Sequence, residues 1–378
     1  MHTRICDEFG IEFPIFAFSH CRDVVAAVSR AGGMGVLGAL AFSPEQLKIE
    51  LAWIDEHVDG KPYGVDIVMP ATSVTAGGDV SEEQLQKMIP QQHRDYVEQV
   101  LSRHGVPPLP EGAPRPMELL GWVPGTARSQ VDIALEHRVA LLVNALGPPP
   151  PDVVQKAHDH GIKVAALVGA ADQARKQQQA GVDIIVAQGH EAGGHTGEVA
   201  TMVLVPEVVR AVHPTPVLAA GGIGSGKQMA AALALGADGV WTGSIWLTVK
   251  EADTGDVLMD KLLHAGSRDT VRSRSMTGKP ARQLRTPWTE AWDGPDSPGT
   301  LPMPLQFMLT AEAQARMRRA AETGAPGADL APMPVGQIVG SMDAIRPARD
   351  VIFDMVEEYV DTVARMSEAL ASAGNPTP

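Results

Sequence analysis

Cysteine is almost absent from this chain, with only Cys6 and Cys21 among 378 residues. Two thiols cannot build a disulfide framework, and no secretory signal pattern is present. A reduced, cytoplasmic protein is the expectation. An excess of basic residues is also missing: Lys and Arg number 31 against 45 Asp and Glu, a formal net charge of −14. That balance argues against nucleic acid or an anionic membrane surface as the main partner, while leaving room for a local basic pocket. No apolar run reaches the ~18 residues that a spanning helix needs. Aromatic residues are scarce at 4%. The abundant residues are alanine, glycine and valine, which suit closely packed parallel strands covered by helices.

Short apolar segments alternate with amphipathic ones along most of the chain. Strands are expected at 13–18, 34–38, 63–69, 139–146, 163–168, 183–187, 216–220 and 239–242. Helices are expected at 22–31, from Pro44 to about His57 behind a Ser43 N-cap, and at 170–180. Eight strands in mostly βα order predict a (β/α)8 barrel. Two stretches break the rhythm. Residues of about 71–124 hold a polar helix, roughly Ser81 to His104, and a proline-rich tail where one crossover helix would suffice. This reads as an insertion after strand three. From residue 265 the repeat stops, so the barrel is assigned to 1–264 and a C-terminal subdomain with a closing helix, about Ala348 to Ala371, to 265–378.

Three strand ends in series open into glycine: Gln188-Gly-His-Glu-Ala-Gly-Gly-His-Thr-Gly197, then Ala219-Ala-Gly-Gly222, then Trp241-Thr-Gly-Ser244. Glycine lets the backbone approach a ligand closely, and α/β barrels bind phosphate between the loops after strands seven and eight. Gly221-Gly-Ile-Gly-Ser-Gly-Lys227 also has the spacing of a nucleotide hydrolase's phosphate loop. The following residue is Gln228, where that loop needs Ser or Thr for Mg²⁺. His190 and His195 are five apart in a glycine-rich segment, not the i, i+4 helical spacing of a zinc site, so no metal is expected. A histidine in such a loop suits general-base work, and His195, behind the paired glycines, is the stronger candidate. Gln188 could face a planar heterocycle. Lys279 and Arg282 form a small basic cluster able to orient an anion.

These motifs, with Leu235-Gly-Ala-Asp-Gly-Val-x-Thr-Gly-Ser244, Gly278-Lys-Pro-Ala-Arg282 and Gly336-Gln-x-x-Gly340, resemble the nitronate monooxygenase (2-nitropropane dioxygenase-like) family. The resemblance spans most of the chain except 71–124. NADH:quinone reductases and flavin-dependent enoyl-acyl carrier protein reductases share the pattern. The resemblance implies an FMN-bound TIM barrel that oxidises alkyl nitronates or nitroalkanes with O₂ to a carbonyl compound and nitrite. His195 would be catalytic. Ala17, Phe18, Ser19, Asp66, Gln188, Gly193, Gly194, Gly221, Gly222, Trp241, Thr242, Gly243 and Ser244 would bind the cofactor. Two positions depart from the family pattern: Ala17-Phe-Ser19 replaces Ala-Pro-Met, and Asp66 stands where an asparagine is usual. The alternatives are an NAD(P)H-dependent flavin reductase acting on quinones or enoyl thioesters, a non-catalytic phosphate-ligand barrel, and the nucleotide hydrolase. A small-molecule substrate is expected, with NAD(P)H or O₂ as redox partner; monomer and homodimer both stay open.

Overall fold

The computed structural model of the protein describes residues 1–69, 82–113 and 124–373. Eleven strands occur among them: β1 (Ile15–Ser19), β2 (Met34–Gly38), β3 (Tyr63–Asp66), β4 (Val139–Asn144), β5 (Lys163–Val168), β6 (Ile184–Gln188), β7 (Gly194–His195), β8 (Val217–Ala220), β9 (Gly239–Thr242), β10 (Thr270–Ser273) and β11 (Ala281–Leu284). All of these except β7, β10 and β11 form a closed parallel barrel in the order β1-β2-β3-β4-β5-β6-β8-β9. The (β/α)8 barrel expected from the strand count is the fold of the chain.

Strand alternation divides the core. Phe16, Met34, Val36, Leu141, Val143, Ala165, Ile184, Val186, Leu218, Ala220 and Trp241 form one cluster inside the barrel. Ile5, Cys6 and Ile11 join it from the N-terminal segment and close its lower end. Ala17, Leu37, Tyr63, Val65, Leu142, Ala166, Ile185, Ala187, Ala219 and Val240 face outward, into the layer between strands and helices. Each fully buried Val, Leu, Ile, Phe or Met among them contributes ~1.5–3 kcal/mol relative to exposure. Helix Pro44–His57 starts where its residues dictate. Ser43 Oγ accepts a hydrogen bond from the Gln46 amide at 3.1 Å, and Pro44 needs no amide partner at the first position.

Outside the barrel the expected single helix of the insertion is two, Glu82–Lys87 and Gln91–Arg103. Pro90 divides them, because its ring cannot continue a helix. Ser81 and the rest of 70–81, with 114–123, lie outside the described residues. The insertion does not stand alone. Leu85, Tyr96, Val97, Val100 and Leu101 share a second core with Trp288, Trp292, Leu309, Ala313 and Met317 from the C-terminal part. The closing helix, Ala348–Ala373, packs along helix Gly226–Ala234 and also touches helix Arg22–Arg30.

Candidate functional site

The C-terminal ends of the barrel strands define a mouth, and three of them carry the glycine-rich segments. After β6 the chain turns through Glu191, whose carboxylate accepts hydrogen bonds from Thr201 N at 3.0 Å and Thr201 Oγ1 at 3.0 Å. Glu191 thereby caps the helix that begins at Thr201 rather than facing a ligand. Gly193 is packed against a strap from the C-terminal part: a Cβ there would stand 2.8 Å from Gly336 N. Gln337 N completes this contact by donating to Glu191 O at 2.9 Å.

Beyond Gly193 the segment is a strand rather than a plain loop. β7 pairs antiparallel with β11, placing His195 opposite Ala281 and Gly194 opposite Arg282. His195 Nε2 lies 2.7 Å from Thr277 Oγ1, and the Thr277 oxygen also accepts from Lys279 N at 3.3 Å. His195 is half-buried. Desolvation, then the neighbouring Lys279 ammonium, pushes the imidazole down to about 4. His195 is therefore neutral across the physiological range. Lys279 is also held below the ordinary lysine value by burial. Lys279 thus brings positive charge beside the histidine. Arg282 does something else: it is buried, with Nε donating to His190 O at 2.9 Å and Nη1 to Thr270 Oγ1 at 2.9 Å. It braces the glycine-histidine segment from behind. Thr277 was not singled out from the sequence; it lies far from His195 along the chain, and only the β7–β11 pairing joins them.

At β8 and β9 the chain turns through glycine. Gly221 has φ +104° and lies so close to Thr201 Oγ1 that a Cβ would approach to 2.7 Å, so no larger residue fits. Gly222 follows with φ +68°. No hydrogen bond within the described residues occupies the amides of Gly222, Ile223, Gly243 or Ser244. Gly243 borders open space: a Cβ there would have Phe18 Cδ1, at 4.0 Å, as its nearest neighbour. These four amides are free to meet an anion, whereas the N-terminus of helix Gly226–Ala234 is capped from within, Gly226 N donating to Glu358 Oε2 at 3.0 Å and Gln228 N to Ser225 Oγ at 3.3 Å. Ser244 Oγ meanwhile accepts from Gly336 N at 2.8 Å, so its hydroxyl ties the strap to this corner.

The remaining expected residues divide by the direction of their side chains. Phe18 and Trp241 stack inside the mouth, with ring centroids 6.1 Å apart at 28°. Gln188 ends β6 opposite Ala220 and is half-buried. Asp66 ends β3 and is buried, and its Oδ1 has no hydrogen-bond partner. Ala17 packs in the outer layer, so only its backbone can reach the mouth. Ser19 Oγ accepts from Cys21 N at 3.1 Å. Thr242 is buried, donating to Phe16 O at 3.0 Å and accepting from Trp246 Nε1 at 3.0 Å, so its hydroxyl locks β9 to β1. His20 passed unremarked in the sequence. It is exposed just past β1, with Nδ1 donating to Gly38 O at 2.9 Å.

The hydrolase-like spacing has a packing origin. A Cβ at Gly226 would stand 2.1 Å from Met355 O on the closing helix, and Lys227 Nζ lies 4.0 Å from Glu358 Oε1 of the same helix. Gly226 and Lys227 thus serve a helix–helix contact.

The class is a TIM barrel with glycine-rich turns and a neutral histidine at its C-terminal mouth. A model of the nitronate monooxygenase family matches residues 3–358, and the chain belongs to that family. It is 56% identical over 370 residues to "Putative monooxygenase Rv1533" of Mycobacterium tuberculosis, covering 97% of this chain and 98% of that one. Among solved structures, FabK from Thermotoga maritima is 30% identical, with a TM-score of 0.73 over 98% of this chain and 99% of that one. Nitroalkane oxidase from Streptomyces ansochromogenes shares the fold, with a TM-score of 0.79 at 24% identity, over 96% and 99% of the two chains. The family makes the protein an oxidoreductase of the flavin-dependent kind.

Proposed function

We propose that this chain holds FMN across the barrel mouth and oxidises alkyl nitronates with O₂ to a carbonyl compound and nitrite. The observation that carries the reading is the β7–β11 pairing at the barrel mouth, which sets His195 against Thr277 at 2.7 Å and beside the Lys279 ammonium. The amides of Gly222, Gly243 and Ser244 would hold the phosphate. Phe18, Gln188 and Trp241, with the backbone of Ala17 and Ser19 and the turns at Gly194 and Gly221, would line the ring. When bound, the flavin supplies the electron-accepting and O₂-reactive centre. The protein's own residues bind, orient and move protons. Lys279 attracts an anionic nitro group by its charge. His195, fixed by Thr277, offers the substrate a hydrogen bond and takes the α-proton when a neutral nitroalkane arrives. A base held down to about 4 is weak. It therefore favours substrate that enters as the preformed nitronate.

The test is a visible absorption spectrum of the purified protein, followed anaerobically by NADH and then a nitronate. Bleaching by the nitronate supports the proposal. Fast bleaching by NADH instead makes it a flavin reductase acting on quinones or enoyl thioesters. A colourless protein that stays colourless with FMN makes it a non-catalytic phosphate-ligand barrel.

A further inference from the structure

We propose that Asp66 serves the bound cofactor as a hydrogen-bond donor, an acid O–H kept for a flavin carbonyl, and that flavin loading is therefore pH-dependent through this one side chain. The inference rests on the reading that the mouth holds a flavin. Asp66 lies in the interior-facing phase of β3, because Tyr63 and Val65 both pack in the outer layer. Its register neighbours offer nothing to an anion: Gly38 on β2 has no side chain, and Val143 on β4 is apolar. The nearby amide of Asn144 is already committed. Its Oδ1 accepts from Met69 N at 2.8 Å, and its Nδ2 donates to Met69 O at 3.2 Å and Gly147 O at 2.8 Å. Asp66 Oδ1 is left buried and unpartnered among the described residues.

An ionised carboxylate in such a place costs several kcal/mol unless a cation or several donors meet it. None does. On the β1 side the titratable group is His20, whose ring burial holds below the ordinary histidine value and whose Nδ1 is tied to Gly38 O. The glycine-histidine segment and β11 bring His195, Lys279 and Arg282 to the mouth, and Arg282 is consumed by His190 O and Thr270. Burial alone pushes the Asp66 carboxyl up to about 7, with no charged neighbour contributing. The group that completes an orphaned acid O–H at this mouth is an acceptor on the ligand, and the pyrimidine end of a flavin carries carbonyl oxygens.

The experiment strips the purified protein and reloads it with FMN from pH 5.5 to 9, reading affinity by quenching of flavin fluorescence. Asp66→Asn keeps the shape and a neutral donor. Wild-type Kd should rise about tenfold per pH unit above about 7, as one proton is required for binding. Asp66→Asn should follow a flat profile, within about threefold of wild type at pH 6. The titration of free FMN is common to both proteins and cancels in the comparison. Equal slopes in the two proteins overturn the proposal. So does an Asp66→Asn protein that is folded by circular dichroism yet binds no flavin at any pH. If wild type itself binds no FMN at any pH, the cofactor reading fails, and the role given to Asp66 fails with it.

Discussion

His195 Nε2 and Thr277 Oγ1 are 2.7 Å apart although 82 residues separate them in the chain. The hydroxyl comes from the turn before β11, and the imidazole from the strand that pairs with β11. The same pairing brings Lys279 beside the ring. The first consequence concerns the base itself. His195→Asn should keep flavin and slow oxidation of neutral nitroalkanes by about 10²–10⁴-fold, with a smaller loss on preformed nitronates. Thr277→Val should fall between. Steady-state rates on the two substrate forms check this; equal losses on both would remove proton transfer from the role of His195.

A second prediction concerns pH. Burial and Lys279 both oppose the imidazolium, so the folded protein favours the neutral ring. A histidine whose folded value lies below its unfolded value of 6.5 contributes a stability loss as pH falls from about 6.5 towards about 4. Lys279→Gln removes the smaller of the two causes. The His195 titration should move upward yet remain below 6.5, since burial persists. Proton NMR of the ring hydrogens reads this directly, and an unchanged or lowered midpoint would contradict it.

Two glycines should separate ligand binding from folding. Gly243→Ala places a methyl in open space with no close neighbour. It should leave the melting temperature of the flavin-free protein within about 2 °C while weakening FMN by tenfold or more. Gly226→Ala drives a methyl into Met355 O. It should destabilise the fold by about 3 kcal/mol or more, whether or not flavin is present. Thermal melts and flavin titrations of the two variants decide the point.

Lys227 tests the hydrolase reading. Its ammonium faces Glu358 on the closing helix at 4.0 Å, and more than half of the side chain is exposed. Lys227→Ala should leave flavin affinity within about twofold of wild type and shift stability by less than about 1 kcal/mol. A large loss of nucleotide binding in that variant would revive the phosphate-loop alternative.

Much of the barrel was legible because local chemistry and global fold agree there. β2, β5 and β9 match the expected segments residue for residue, each an apolar run stopped by glycine or a turn. The helix behind Ser43 and Pro44 was equally readable, since cap and first turn lie within four residues. β3 was over-extended from the sequence. The apolar run continues to Met69, yet the strand ends at Asp66, where Asn144 takes the Met69 backbone out of the ladder. The second core was not legible either. No periodicity in 82–103 says that its apolar face meets Trp288 and Met317 some two hundred residues on.

The amino-acid order alone determined that glycine-bearing strand ends would recur around a parallel barrel, because strand period, turn chemistry and backbone freedom are properties of neighbouring residues. It also offered His195 as a base and Lys279 with Arg282 as a small basic cluster. Only the tertiary structure decided that the turn before β11 delivers Thr277 and Lys279 to His195, that Arg282 becomes a brace, and that Asp66 Oδ1 has no partner among the described residues. Partnership and desolvation are set by what other segments bring to a point in space, and that information lies in the packing of distant chain rather than in any local stretch of it.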